Sequence, residues 1–287
     1  MKVSTEIASA ARLVGEEKAI ELIAKAGFDA WDFSMFSMCK YDYAERCVIP
    51  SDHPLATREA LSFASRLGRI GRECGIECNQ SHAPFPSSCA EIRSKYKLAI
   101  ECTAEAGGKI CIIHPDNNKS PEENCEMYLE LLPFAKGCGV KIATENMWNW
   151  DNDKNQATFA ACSTPKSFVE HLNAVNDDYF VACLDIGHAE MRGLDTSAPE
   201  MIRAIGNKLQ ALHIHDNDCW HDSHQIPFSM GIDFRGVVNA LKEIDYSGYF
   251  TLEAGLYLEQ FDRESAFRGI ENLCRSVRRL AEMFEAR

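Results

Sequence analysis

Six apolar runs in this chain end on ionisable side chains. SHAPF carries His82, CIIHP carries His114 and KIATENM carries Glu145; ACLDIGHAE carries Asp185 with His188 three residues on; LHIHDND carries His213, His215, Asp216 and Asp218; and YFTLEAG carries Glu253. A further pair, Asp222 and His224, stands in HDSHQ. Buried parallel strands are nearly all apolar, so repeated polar endings need a reason. Carboxylates brought together at such ends would repel one another and resist ionisation, a cost that a divalent cation removes. A mixed imidazole and carboxylate set suits Mn2+, Zn2+ or Co2+ better than Ca2+, which prefers oxygen alone. The expected ligands are Glu145, Asp185, His215 and Glu253. His213 and His215, two apart on a strand, face the same way. His215 lies nearer the strand's C-terminal end and is taken as the ligand, with His213 one layer deeper, where it would hydrogen-bond a ligand or the substrate. The four tryptophans, Trp31, Trp148, Trp150 and Trp220, fall at strand ends or in the loops after them. With Phe85 and Phe228 they are expected to wall a pocket there, offering flat apolar faces to a bound ligand.

The elements that must position these residues alternate along the chain. Strand-like runs end near Thr5, Phe33, Ser81, His114, Glu145, Asp185, His215 and Glu253. Helical patterns lie between them, from GEEKAIELIAKAGF with Gly27 at its stop to the long final ESAFRGIENLCRSVRRLAEMF. Eight alternating strand and helix units predict a parallel sheet with right-handed crossovers, closed as a (β/α)8 TIM barrel in one domain over 1–287. The longest loops, near 39–54, 148–165 and 216–232, all follow strands, on the face where a barrel builds its site. No GxGxxG or GxxxxGK[ST] follows a strand, which removes the common nucleotide-binding open sheets.

Composition narrows the partners. With 30 Lys and Arg against 43 Asp and Glu, the formal charge is −13. Such a chain repels phosphate backbones and anionic lipid unless it carries a local basic patch, and the densest basic stretch, CRSVRR, reads as one face of a helix. Neither nucleic acid nor membrane is expected. The 13 cysteines include no CxxC and sit largely in apolar runs, as small buried hydrophobes do in a reducing compartment. A cytoplasmic location is expected.

The ordered set SHAPF, IIHP, IATENM, LDIGHA, HIHDND, DSH and TLEAG resembles the xylose-isomerase-like barrel superfamily. That group includes sugar-phosphate isomerases and epimerases, ketose 3-epimerases, inosose dehydratases, hydroxypyruvate isomerases and endonuclease IV. Resemblance to the epimerases implies Glu145, Asp185, His215 and Glu253 as shared metal ligands and His188 as a substrate contact. Resemblance to endonuclease IV implies further ligands at His82, His114, His188, Asp222 and His224, and hence more than one ion. Two positions depart from the ketose 3-epimerase pattern: Asp151 stands where a Glu is expected, and His221 where an Arg is expected. The resemblance also implies a homo-oligomer.

The expected activity is isomerisation or epimerisation of a sugar or sugar phosphate through a metal-stabilised enediolate, with Glu145 and Glu253 as the acid/base pair. His82, His114, His188, His213, His224, Asp222, Trp148 and Trp220 are the expected substrate contacts. A polyol dehydratase and an endonuclease IV-like phosphodiesterase are the alternatives on the same barrel.

Overall fold

Eight largely buried segments form one parallel sheet: β1 (Val3–Glu6), β2 (Ala30–Ser34), β3 (Glu77–His82), β4 (Ile110–Ile112), β5 (Lys141–Glu145), β6 (Phe180–Asp185), β7 (Leu209–His213) and β8 (Phe250–Leu252). They belong to a computed structural model that describes residues 1–286. Consecutive strands are neighbours from β1 to β7, and β1 also pairs with β8 in the register Val3↔Phe250. The ring closes through a parallel bridge between Ile214 and Leu252. There the Ile214 N–H donates to the Thr251 carbonyl at 2.9 Å, and the Glu253 N–H to the Ile214 carbonyl at 3.0 Å. The predicted (β/α)8 barrel is therefore the fold.

One main helix follows each strand: α1 (Glu16–Ala26), α2 (Ala60–Glu73), α3 (Tyr96–Ala106), α4 (Pro121–Cys138), α5 (Pro165–Val175), α6 (Ala198–Ile205), α7 (Phe234–Glu243) and α8 (Ala266–Glu285). Local chemistry sets their ends. Gly27 adopts φ 100° after α1, which lets the Phe28 N–H reach back to the Ile23 carbonyl at 3.3 Å. Ser120 and Glu123 form a reciprocal capping box at the start of α4, with Pro121 in its first turn.

Strands β5 and β6 end at Glu145 and Asp185 as expected, and the other six strand ends differ from the sequence expectation by one or two residues. β4 stops at Ile112 and β7 at His213, so His114 and His215 stand beyond the regular ladder. Two of the expected loops carry antiparallel hairpins, Lys40–Asp42 with Cys47–Ile49 and Asn149–Asp151 with Gln156–Thr158. The third, after β7, is organised by Asp216, whose carboxylate accepts the N–H groups of Asn217, Ser229, Met230 and Ile232.

The barrel interior has two halves. On the β4–β7 side Ile112, Ala143, Val181, Cys183 and Ala211 pack as one apolar cluster, two residues below site positions on the same strand faces. On the β8–β3 side the interior is polar: Ser4, Asn79, Gln80 and Thr251 hydrogen-bond one another. All thirteen cysteines are free. No helix among the described residues is long and apolar enough to cross a membrane.

Candidate metal and sugar site

Glu145, at the end of β5 and 1% exposed, is the hub of the mouth. Its Oε2 lies 3.2 Å from His114 Nε2 and 3.6 Å from His82 Nε2, and its Oε1 lies 2.9 Å from His213 Nδ1. His213 Nδ1 is also 3.2 Å from Glu253 Oε2, while its Nε2 is 3.2 Å from Asp32 Oδ2. Across the mouth, Asp185 Oδ1 accepts the His188 N–H at 2.7 Å and faces His215 Nε2 at 3.1 Å. Asp222 bridges outward: Oδ1 lies 3.4 Å from His215 Nε2, and Oδ2 lies 3.3 Å from His188 Nε2 and 3.2 Å from His224 Nε2. The His224 ring stacks on His215 with centroids 4.1 Å apart.

These contacts make overlapping groups of potential metal ligands. Glu145, Asp185 and Glu253 come together with His213, each offering an atom within 4.8 Å of the others. His215, the imidazole expected there, instead groups with His188, Asp222 and His224, and touches the first set only through Asp185 at 3.1 Å. The pleat explains the difference. His213 is the last ladder residue of β7 and points between the β5 and β8 carboxylates. His215 lies past the ladder and leans toward β6, where it packs on the backbone of Gly187. A third group joins His82, His114 and Glu145. The donor set fits a cation on a second count as well: Asp185 Oδ2 and Asp222 Oδ1 are buried and lack hydrogen-bond partners.

The electrostatics follow from burying opposite charges together. Burial opposes ionisation of Glu145, but His213, His114 and His82 around it hold its carboxyl well below the usual range. Burial likewise opposes charge on His188, yet Asp185 and Asp222 raise it well above the ordinary imidazole value. His224 is pushed up to about 10, with Asp222 outweighing its burial. His114 goes the other way, to about 4, because burial and the neighbouring His82 disfavour a second cation.

A cavity of about 1290 Å3 opens over this cluster. His82, His114, Glu145, Trp148, His188, Asp222, His224 and Glu253 line it. Asp185, His213 and His215 form its fully buried floor. Other aromatic expectations need correction. Trp220 does not line the cavity; it lies under the Arg192 guanidinium at 4.5 Å. Trp31 is fully buried within β2, where its indole nitrogen packs on Gly71. Trp150 stacks on His221, and Phe228 sits under Arg279, whereas Phe85 does face the cavity and stacks on His114. Asp151 and His221 serve their own loops, Asp151 accepting the Asp153 and Lys154 N–H groups and His221 pairing with Asp218.

Two acidic residues of the site were missed. Asp32 sits inside β2 with no exposure and holds both His213 and Gln80. Glu6 ends β1, lines the cavity and accepts the Ser9 N–H. The available signal was a carboxylate within or ending an apolar strand run, in AWDFS and VSTE.

A family model described as xylose isomerase-like TIM barrel matches residues 20–273. The protein MJ1311 of Methanocaldococcus jannaschii, of uncharacterised function, is 27% identical over 256 residues, covering 82% of this chain and 78% of that one. Among solved structures, the IOLI protein with a binding zinc atom matches with TM-score 0.75 at 18% identity over 100% of each chain. A D-tagatose 3-epimerase-like protein matches with TM-score 0.70 at 21% identity, over 98% of this chain and 99% of that one. At these identities the structural likeness establishes the fold.

Proposed function

We propose, on the premise that the chain belongs to the xylose isomerase-like TIM-barrel family, that it is a divalent-metal-dependent epimerase or isomerase of a sugar. One observation carries the reading: three strand-end carboxylates, the buried Glu145 and Asp185 and the partly buried Glu253, converge with imidazoles at the floor of a large cavity. The zinc named for the IOLI protein and the epimerase likeness of the second neighbour support it.

Glu145, Asp185, Glu253 and His215 would hold the ion. His213 reaches the same carboxylates, but both its nitrogens face carboxylate oxygens, as in a ring that donates from both and keeps no lone pair for a metal. His215 meets only carboxylates through Nε2, and its Nδ1 has one long contact at 3.4 Å to the Asp216 carbonyl. A bound Mn2+, Zn2+ or Co2+ supplies Lewis acidity toward a carbonyl and its neighbouring hydroxyl. The chain's own residues do the rest. Glu145 and Glu253 reach His213 Nδ1 from the ends of β5 and β8. One takes the proton from the carbon beside the carbonyl, and the other delivers a proton to the opposite face. His188, fixed through Nδ1 to the Asn146 carbonyl at 2.9 Å and through Nε2 to Asp222 at 3.3 Å, lines the cavity and would pack against the substrate there. Trp148 and Phe85 wall the cavity and exclude water.

The test is exchange of a carbon-bound hydrogen with D2O, followed by NMR over a panel of ketoses with the metal-loaded protein. Glu145→Gln and Glu253→Gln are each expected to slow exchange by about 100-fold or more while circular dichroism is unchanged. Full exchange in both variants would remove the acid/base pair. The additional groups, His82 with His114 and His188 with Asp222 and His224, favour phosphodiester hydrolysis as a second reading. That reading needs more than one bound ion per chain and salt-sensitive binding of DNA.

A further inference from the structure

The cavity is larger than a metal-bound monosaccharide requires, since sites for drug-sized ligands span roughly 300–1,000 Å3. Its two sides also differ in charge. The floor and the rim from β3 to β8 carry the imidazoles and most of the carboxylates, with Glu6 and Glu16 on the β1 side. The opposite side is built by the short helix Ala8–Val14 after β1 and by the hairpin Lys40–Asp42 with Cys47–Ile49 after β2. There Arg12, Lys40 and Arg46 line the cavity, in a chain whose net charge is −13.

The hairpin sorts its charges. Of its four ionic residues, Lys40 and Arg46 line the cavity, whereas Asp42 and Glu45 do not. Asp42 Oδ1 is occupied by the turn, accepting the Ala44 and Glu45 N–H groups at 2.8 and 3.0 Å. Other acids on this side are engaged locally. Glu6 accepts the Ser9 N–H at 3.0 Å, and Glu16 is held by His53 at 2.7 Å. The cations are not engaged in this way. Lys40 and Arg46 have no carboxylate within 4.0 Å among the described residues, and Arg12 has one loose contact, 3.9 Å from Glu259. Tyr41 and Tyr43 of the same hairpin pack edge to face and also line the cavity.

We propose that Arg12, Lys40 and Arg46 form a subsite for an anionic substituent of the substrate, a phosphate or a carboxylate, carried on the sugar at the end remote from the carbon that reacts at Glu145 and Glu253. This rests on the sugar epimerase or isomerase reading and names its substrate class. A guanidinium offers paired donors to either anion, and a lysine ammonium adds a point charge.

The experiment compares D-fructose, D-fructose 6-phosphate and D-fructuronate with the metal-loaded protein, in D2O exchange and in calorimetric binding at two salt concentrations. Charged sugars are expected to bind about 10-fold or more tighter than the neutral one, with an advantage that shrinks in high salt. The Lys40→Gln/Arg46→Gln variant is expected to cut the charged-to-neutral ratio of kcat/KM, and of binding constants, by about 10-fold. Preference for the phosphate or for the uronate identifies the anion. Equal binding of neutral and charged sugars, or a ratio unmoved in the variant, overturns the subsite while leaving the sugar reading intact. Selective binding of charged sugars without exchange on any of them supports the subsite and overturns the reaction.

Discussion

His213 is the residue on which the floor of the site depends. Its ring lies between Asp32 on one side and Glu145 and Glu253 on the other, with no solvent exposure. Burial works against its charge, and Cys183, Glu145 and Glu253 outweigh that and raise it well above the usual imidazole value. Removing the ring would leave the buried Asp32 and Glu145 and the partly buried Glu253 without their shared positive partner. His213→Leu is therefore expected to destabilise the metal-free protein by about 3–5 kcal/mol, the scale for breaking a buried ion pair. The loss should shrink when a saturating divalent ion supplies the missing positive charge. Denaturant unfolding with and without metal measures both quantities. An equal loss in the two conditions would show that the ring matters only for packing.

Among the elements, the one-turn helix Ile186–Ala189 that follows β6 has a specific task. Asp185 caps it by accepting the His188 N–H, so the same carboxylate sits at a helix start and in the cluster of ionisable side chains. Gly187 lies flat against the His215 imidazole, and a Cβ there would overlap the ring. The Asn217 side chain donates to the Gly187 carbonyl at 2.9 Å and locks the β7 loop onto this turn. Gly187→Ala is expected to push His215 from its place and lower divalent-metal affinity by at least about 10-fold, with the helical content of the barrel retained. Metal titration followed by calorimetry, with circular dichroism as the control, checks this. Wild-type affinity in the variant would mean that His215 is not a ligand.

At the scale of the whole molecule, the mouth concentrates titratable groups whose shifts set the pH dependence of stability. His114 is held near 4 against an ordinary 6.5, so below about 6.5 the unfolded chain takes up a proton that the folded one refuses. Stability of the metal-free protein should fall as pH drops from about 6.5 to 4. Glu145, held low, contributes stability above its ordinary 4.5 that is lost only under stronger acid. At the alkaline end His224, pushed up to about 10, contributes fully below 6.5, and its contribution fades as pH rises toward 10. Thermal unfolding of metal-free protein from pH 4 to 10 should show a maximum near neutrality. His114→Asn should flatten the acid limb, and an unchanged limb would assign it to other groups.

The barrel was legible in the sequence because its signals are local. Alternating apolar runs and helical periods, with Gly27 marking a helix stop, need no tertiary information. The polar strand endings at His82, Glu145, Asp185 and Glu253 were legible for the same reason, since an ionisable residue closing a buried run stands out along the chain. Which of two neighbouring imidazoles meets which carboxylate was decided only in three dimensions. The end of the β7 ladder at His213 and the close backbone of Gly187 set His213 between Glu145 and Glu253 and turn His215 toward Asp185, and neither fact has a local signature. Asp32 was hidden because a carboxylate inside a strand gains its meaning from a partner 181 residues away. The cationic side of the cavity was hidden too. Arg12, Lys40 and Arg46 are ordinary surface residues until the first two loops fold over the same opening.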